Sequence, residues 1–358
     1  MVGIICEYNP LHNGHLHHLK EIKKRFPDEV ITLVLAGNFL NRGEVSVLEK
    51  YDKTNLALDY VDLVVELPTV LATQAADMYA YGAISILDNL KCNYLVFGSE
   101  SNDIEKLTKI THTILKNEMK IKKFMKQGYS YPASIGLALK KNSNIEINSP
   151  NDLLGISYLK SIIKLNSKIK PITIKRTTDY HNSLTEGKIS SATSIRKLIS
   201  NQQNIQNYVP HKTLNYIKNI DLNDFFLIIK YKILTEDLTI YQDIDFNLNN
   251  ALKKNITKST NIDQLIANVK SKNYTYNKIK RSLVHILCCI KKNNYKLEYI
   301  HILGFNQKGK KYLNKIKKEV KLPLITNYND LLKQQILIDK IYALITNDIK
   351  PIKPIIKD

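Results

Sequence analysis

Apolar runs of strand length alternate with helically spaced segments over the first half of the chain. Residues 2–6, Val-Gly-Ile-Ile-Cys, form the first run, and Glu7-Tyr8-Asn9-Pro10-Leu11 after it reads as a turn. Leu16-His17-His18-Leu19-Lys20-Glu21-Ile22 then has helical spacing. Residues 30–36, 63–68, 94–97 and 172–176 predict four further strands. Between them, residues 49–60 read as a helix with a mixed face. Residues 74–87 read as a helix with a close-packing face of Ala75, Ala76, Ala80, Ala83 and Ile84. Residues 103–145 are helical and lysine-rich, and are expected to form an insertion on the sheet. Another helix opens within 149–155, with Asn151 or Asp152 as its N-cap. Strands alternating with helices predict an α/β fold, Rossmann-like, with a mainly parallel sheet. From about residue 201 strand signals fade and Asn-rich helical segments dominate. There residues 283–290 predict an apolar helix, Ile302-Leu303-Gly304-Phe305-Asn306 a short turn, and 308–318 a basic helix. The expected division is a first domain over 1–200 and a mainly helical region over 201–358.

Charge sharpens that division. The 358 residues carry a net charge of +20. Residues 1–200 hold 26 Lys and Arg against 20 Asp and Glu, and residues 201–358 hold 27 against 13. The second region therefore reads as a polyanion-binding surface, with nucleic acid the first candidate. The competing explanation is an AT-rich genome, because Asn, Ile and Lys are abundant throughout. Tyr274-Thr275-Tyr276-Asn277-Lys278-Ile279-Lys280-Arg281 interleaves aromatics with bases, so Lys278, Lys280 and Arg281 are candidate RNA contacts; the alternative is a solvated face. No run of about 18 apolar residues predicts a membrane span. The N-terminus reads as a core strand and not as a signal peptide. Cys6, Cys92, Cys288 and Cys289 have neither metal nor disulfide spacing, which points to a reducing cytoplasm.

The candidate chemistry starts at the N-terminus. Strand, turn and helix in that order set a helix N-terminus over the strand's end, where unpaired N–H groups favour phosphate. Pro10 fixes the turn. Gly14 leaves room for a nucleotide at the backbone, and His12 and His15 can donate to phosphate oxygens on either side of it. A metal cluster is the rival reading, since His12, His15, His17 and His18 fall within seven residues, but no paired ligand motif accompanies them. Gly37-Asn38-Phe39-Leu40-Asn41-Arg42-Gly43-Glu44 follows a strand, so Arg42 can meet phosphate and Asn38 a small polar group, unless the stretch is a plain turn. Gly98-Ser99-Glu100 follows another strand and suits an adenine or ribose. In the stretch from Gly187 to Arg196, Ser and Thr side chains crowd a helix start with Arg196 one turn in, a second phosphate grip or an ordinary cap. No Walker A motif, zinc knuckle or internal repeat is visible.

His12-Asn13-Gly14-His15 after a strand resembles the HIGH signature of the nucleotidyltransferase superfamily. Glu7-Tyr8-Asn9-Pro10, Gly37-Asn38-Phe39 with Arg42-Gly43-Glu44, Val65-Glu66-Leu67-Pro68, Phe97-Gly98-Ser99-Glu100, Asn151 with Gly155, and Ser191-Ala192-Thr193-Ser194-Ile195-Arg196 extend the likeness. Leu283-Val284-His285-Ile286-Leu287 and Leu303-Gly304-Phe305-Asn306 carry it into the second region. Together these resemble the bacterial tRNA(Met) cytidine acetate ligase family. Leu11 stands where relatives have Phe, Leu40-Asn41 where Val-Gln is expected, and Val45-Ser46 where Pro-Ala is expected.

The resemblance implies a nucleotidyltransferase-type α/β domain followed by a helical tRNA-binding region. It implies that ATP and acetate give acetyl-adenylate and pyrophosphate. The acetyl group then passes to N4 of the wobble cytidine, position 34 of elongator tRNA(Met), without acetyl-CoA. ATP would be held by Ile5, Cys6, Glu7, Tyr8, Asn9, Pro10, Leu11, His12, Asn13, Gly14, His15, Leu16, His17 and His18, with Gly98, Asn151 and Arg176. Thr193, Ser194 and Arg196 would grip the departing phosphates, and Asn38 would help place acetate or the base. Mg2+ is expected with ATP, with no motif for a protein-bound metal. Two rivals stay open: a small-molecule adenylyltransferase, which needs no basic second region, and a non-catalytic RNA-binding protein, against which His12, His15 and Arg196 argue.

Overall fold

A computed structural model describes residues 1–129, 131–139, 149–176, 188–293 and 295–358. Part of the predicted 103–145 insertion and Gly187 lie outside the described residues. The strands are β1 (Val2–Cys6), β2 (Ile31–Ala36), β3 (Leu63–Leu67), β4 (Tyr94–Ser99), β5 (Lys170–Lys175), β6 (Ile300–Phe305), β7 (Leu324–Ile325) and β8 (Ile355–Ile356). They form one eight-stranded sheet in the order β5-β4-β1-β2-β3-β6-β7, with β8 beside β6. β1 to β5 run parallel, and β6 lies antiparallel to β3.

β2 shows why these runs become central strands. All six of its residues are buried. Ile31, Leu33 and Leu35 enter one core, while Val34 and Ala36 enter the other. Continuous apolar runs of this kind are what a sheet covered on both faces requires. One face is covered by helices α1 (Asn13–Arg25) and α2 (Lys50–Ala57), with Leu16, Leu19 and Ile22 of α1 facing the sheet. The other is covered by α3 (Thr69–Ala72), α4 (Ala76–Asn89), α5 (Ile104–Lys116), α6 (Glu118–Lys126), α7 (Tyr131–Leu139) and α8 (Pro150–Lys164). Helix α9 (Ala192–Ser200) returns to the first face through Ile195 and Ile199.

Beyond the short α10 (His211–Leu214), helices α11 (Phe226–Thr235), α12 (Phe246–Ile256), α13 (Ile262–Val269) and α14 (Tyr276–Leu287) build a third core. The chain then passes through β6 to α15 (Gln307–Ile316) and α16 (Lys333–Thr346). The segment expected as a turn at Ile302–Asn306 is therefore mostly strand. Its apolar run Ile300, Ile302, Leu303 is buried because β3 offers it a free edge. Residues 201–358 thus combine the helical core with strands of the main sheet. Helix α14 also starts seven residues before the predicted 283, so Lys278, Lys280 and Arg281 are helical. Among the described residues, no helix is long and apolar enough to cross a membrane.

Strand order reverses between β1 and β4, and ligands of open α/β sheets bind at such a point. These two strands pair only through Val2 with Tyr94 and Gly3 with Leu95. Each continues alongside its outer neighbour, to Cys6 and to Ser99. They part toward their C-terminal ends, and the opening faces the start of α1.

Candidate active site

The N-terminus of α1 is capped by two histidines acting on each other's backbone. His12, the N-cap residue, accepts the Gly14 N–H at Nδ1 over 3.1 Å. His15 accepts the His12 N–H at its own Nδ1 over 3.3 Å. A neutral imidazole that accepts at Nδ1 carries its proton on Nε2. Both rings therefore keep an Nε2–H donor for a ligand. They stack 3.7 Å apart, and Tyr8 lies 4.7 Å from the His15 ring. Burial, assisted by Arg176 and Arg196, pulls the His12 pKa down to about 4. Burial and then the His12 ring hold His15 well below the ordinary value too. The pair is a neutral two-donor grip at neutral pH.

Asn13 is turned away from that grip. Its amide donates to the carbonyls of Lys188 at 3.1 Å and Asn207 at 3.0 Å, while its N–H reaches Tyr208 O at 3.0 Å. It binds the second phosphate motif to the first. His18 is held below its usual value, at about 4, by burial and by Arg176. Burial pushes the Cys6 thiol up to about 12, which favours the protonated form.

Helix α9 presents its N-terminus to the same place. Ser191 is its N-cap, accepting Ser194 N–H at 3.1 Å and pairing hydroxyls with Ser194 at 2.8 Å. One turn on, Arg196 Nη1 donates to Asn9 O at 2.8 Å. Its Nη2 donates to Glu44 Oε2 at 2.8 Å and lies 3.4 Å from Thr193 Oγ1. Thr193, Ser194, Arg196 and the histidine pair are thus gathered around the β1 exit turn.

The opposite wall comes from β4 and α8. A Cβ on Gly98 would sit 2.9 Å from Arg176 Cγ, so the missing side chain lets Arg176 lie across the strand's end. Arg176 follows β5 immediately and is exposed. Asn151 does not cap α8, which begins at Pro150 after Ser149. Asn151 and the backbone N–H groups of Asn151 and Asp152 instead donate to the Glu100 carboxylate, which supplies the negative charge that a helix N-terminus favours. The Asp152 carboxylate accepts from Ser99, Ser101 and Ser149.

Behind the β2 exit lies a buried polar network that sequence reasoning missed. Asn38 is 1 % exposed; its Oδ1 accepts Lys50 N–H at 2.9 Å, and its Nδ2 donates to Asp339 at 3.3 Å and Glu49 at 3.5 Å. These bonds hold its side chain between the start of α2 and Asp339. Lys50 pairs with Glu66 at 2.9 Å and with Asp339, and His301 Nδ1 lies 2.6 Å from Glu66. Lys50 and His301 hold Glu66 as a carboxylate, below its ordinary range and against the effect of burial. Lys53 donates to the carbonyls of Glu7, Ala36 and Gly37, tying the exits of β1 and β2 together. The spacing of Lys50 and Lys53 on a mixed-face helix carries no signal of this, since their partners come from β3, α16 and the exits of β1 and β2.

The loop after β2 also meets the helical region. Phe39 enters its core 5.9 Å from Phe225, and Gly43 packs on the backbone of Lys280 and Arg281. Arg281, expected on RNA, is paired with Asp243 at 3.1 Å. Lys278 lies 4.7 Å over the Tyr274 ring. Arg42 is exposed at the loop tip. Glu44, Glu100 and Ser191 sit inside motifs the sequence already marked, but their roles needed coordinates. Among the described residues, no group of three or more His, Cys, Asp or Glu is placed to hold a metal ion.

Comparison with known proteins agrees with this geometry. The HIGH Nucleotidyl Transferase family matches residues 1–353. A tRNA(Met) cytidine acetate ligase of Caldicellulosiruptor saccharolyticus is 40% identical, covering 96% of this chain and 93% of that protein. The protein of the same name from Caldanaerobacter subterraneus is 40% identical over 91% of this chain and 88% of its own length. Crystal structures of Thermotoga maritima TmcAL, bound with alpha-thio ATP and in apo form, superpose with TM-scores of 0.86 and 0.87 at 27% and 28% identity, each covering 99% of both chains. The chain belongs to the HIGH nucleotidyl transferases and, within them, to the tRNA(Met) cytidine acetate ligase family.

Proposed function

We propose that this chain activates acetate with ATP and acetylates N4 of the wobble cytidine, position 34, of elongator tRNA(Met). The observation that carries the reading is the convergence of two neutral Nε2–H donors, from His12 and His15, with Arg196 at the parting of β1 and β4. The activity for which the relatives are named and the nucleotide analogue bound by the Thermotoga protein support it.

In the first step an acetate oxygen attacks the α-phosphorus in line. The bond to the bridging oxygen breaks, and pyrophosphate leaves. Both partners are anionic, so the protein's work is alignment and charge stabilisation. His12 and His15 donate to the phosphates. Arg196, Ser194 and Thr193 hold the departing groups. Gly98, Arg176 and Asn151 border the nucleoside end, and residues 5–18 enclose the rest. Mg2+ is expected to arrive on the ATP phosphates. In the second step the cytosine amine attacks the acetyl carbon of the mixed anhydride, AMP leaves, and the amine loses a proton. The anhydride is already activated, so neither a covalent enzyme intermediate nor acetyl-CoA is required. Residues 1–200 would carry this chemistry in the cytoplasm. Residues 201–358 would hold the tRNA backbone, with Lys278 and Lys280 at its contact and the target base unstacked into the crevice.

The test is a modification assay with purified protein, ATP, Mg2+, labelled acetate and unmodified elongator tRNA(Met), followed by digestion. Labelled N4-acetylcytidine is expected, absent without ATP and lost in His15→Ala. Pyrophosphate release with another acid or nucleotide, and no labelled tRNA, would move the chain to the small-molecule adenylyltransferases.

A further inference from the structure

Arg196 is already engaged through both terminal nitrogens of its guanidinium. A guanidinium has five N–H donors. Three are directed to Asn9 O, Glu44 Oε2 and Thr193 Oγ1, leaving Nε–H and one Nη1–H. Arg196 and Glu44 are 19% and 22% exposed, so their contact is shielded more than a surface ion pair. Glu44 in turn has a fixed backbone. Leu40 N–H donates to Glu44 O at 2.9 Å, and Phe39 bridges Val45 across the loop. Asn41 N–H donates to Glu7 Oε1 at 2.9 Å, binding the loop to the β1 exit turn. The neighbouring Gly43 has φ of 70°, and a Cβ there would lie 2.5 Å from Lys280 C and 2.6 Å from Arg281 N. Only a residue without a side chain allows the loop to rest on the backbone of α14 in this way.

We propose that Glu44 is a positioning residue of the nucleotide site, its carboxylate holding the Arg196 guanidinium against the Asn9 carbonyl so that the cation stays fixed beside the departing phosphates. Through Gly43, the start of α14 fixes Glu44, so the RNA-binding region completes the phosphate grip of the catalytic sheet. The kinetic arm of the test rests on acetate activation as proposed above; the binding arm rests on the nucleotide site alone.

The experiment compares wild type, Glu44→Ala, Glu44→Gln, Arg196→Lys and the Glu44→Ala/Arg196→Lys double variant of the full chain. It measures acetate-dependent ATP–pyrophosphate exchange, ATP affinity by calorimetry, and Tm. Loss of one charge-assisted hydrogen bond predicts a fall of about 10- to 100-fold in kcat/KM for ATP in Glu44→Ala. Glu44→Gln, which keeps an oxygen acceptor, recovers part of it. The double variant is no worse than Arg196→Lys, because the two residues act as one unit. Wild-type ATP affinity and kcat/KM in Glu44→Ala would overturn the proposal, as would losses that simply multiply in the double variant. Tighter ATP binding in Glu44→Ala would also overturn it, since the carboxylate would then compete with phosphate for Arg196. If wild type shows no acetate-dependent exchange, the acetate reading fails, and ATP affinity alone decides the role of Glu44.

Discussion

Acidification should break the cap of α1, because protonating Nδ1 of His12 removes the acceptor for the Gly14 N–H and places a charge in a buried site. In the folded chain His12 titrates at about 4, against an ordinary value of 6.5, chiefly because it is buried. A depressed folded pKa on a base means that the unfolded chain binds the proton first. The stabilisation is therefore complete above pH 6.5 and is lost as pH falls toward 4. The difference corresponds to up to about 3 kcal/mol for His12, and His18, also at about 4, adds to the same limb. The assay is long-range 1H–15N correlation on protein with 15N-labelled histidine, recorded from pH 8 to 5 beside chemical denaturation curves. His12 and His15 should show the Nε2–H tautomer throughout, since both Nδ1 atoms accept backbone N–H groups. Stability should decline below pH 6.5. Removing one donor with His12→Ala should lower kcat for pyrophosphate exchange by about 10² to 10³, with about 1 kcal/mol of stability lost through the cap. An Nδ1–H tautomer, or either ring titrating near 6.5, would refute the reasoning.

Three further outcomes follow from the same coordinates. Lys50→Met removes the cation between Glu66 and Asp339 and should cost about 3–5 kcal/mol in denaturant unfolding; unchanged stability would show that the carboxylates take up protons at no cost. His285 lies 3.1 Å from both Gln242 O and Thr73 O, joining the helical region to the catalytic sheet, so His285→Ala should lower stability by about 1–3 kcal/mol. A variant as stable as wild type would remove that joint. Lys280→Ala should reduce the slope of log tRNA affinity against log salt by about 0.7–0.9 with little change in Tm, whereas Arg281→Ala should lower Tm because it strands Asp243; the reverse pattern would exchange their roles.

Much of this protein is written locally. The apolar runs of β1 to β5 are continuous because a parallel strand is buried on both faces, so their period and length reveal them without coordinates. The first phosphate grip is equally legible: the turn, Gly14 and the two histidines lie within one short segment, and helix geometry alone brings His12 and His15 together. The same holds for Ser191, Thr193 and Ser194 at the start of α9 and Arg196 one turn on. What only the tertiary structure decides is every partner drawn from far along the chain. β6 hid as a turn because its pairing edge on β3 is more than 230 residues away in sequence, well outside any local pattern. Arg281 looked like a free base until folding set Asp243 against it, and Asn151 like a cap until Glu100 took that place. Asn38, Lys50 and Lys53 gave no signal of burial, because the carboxylates and carbonyls that make a buried charge tolerable are contributed by β1, β2, β3 and α16. Periodicity reports which face of an element is covered; it carries no information on which distant charge will meet another.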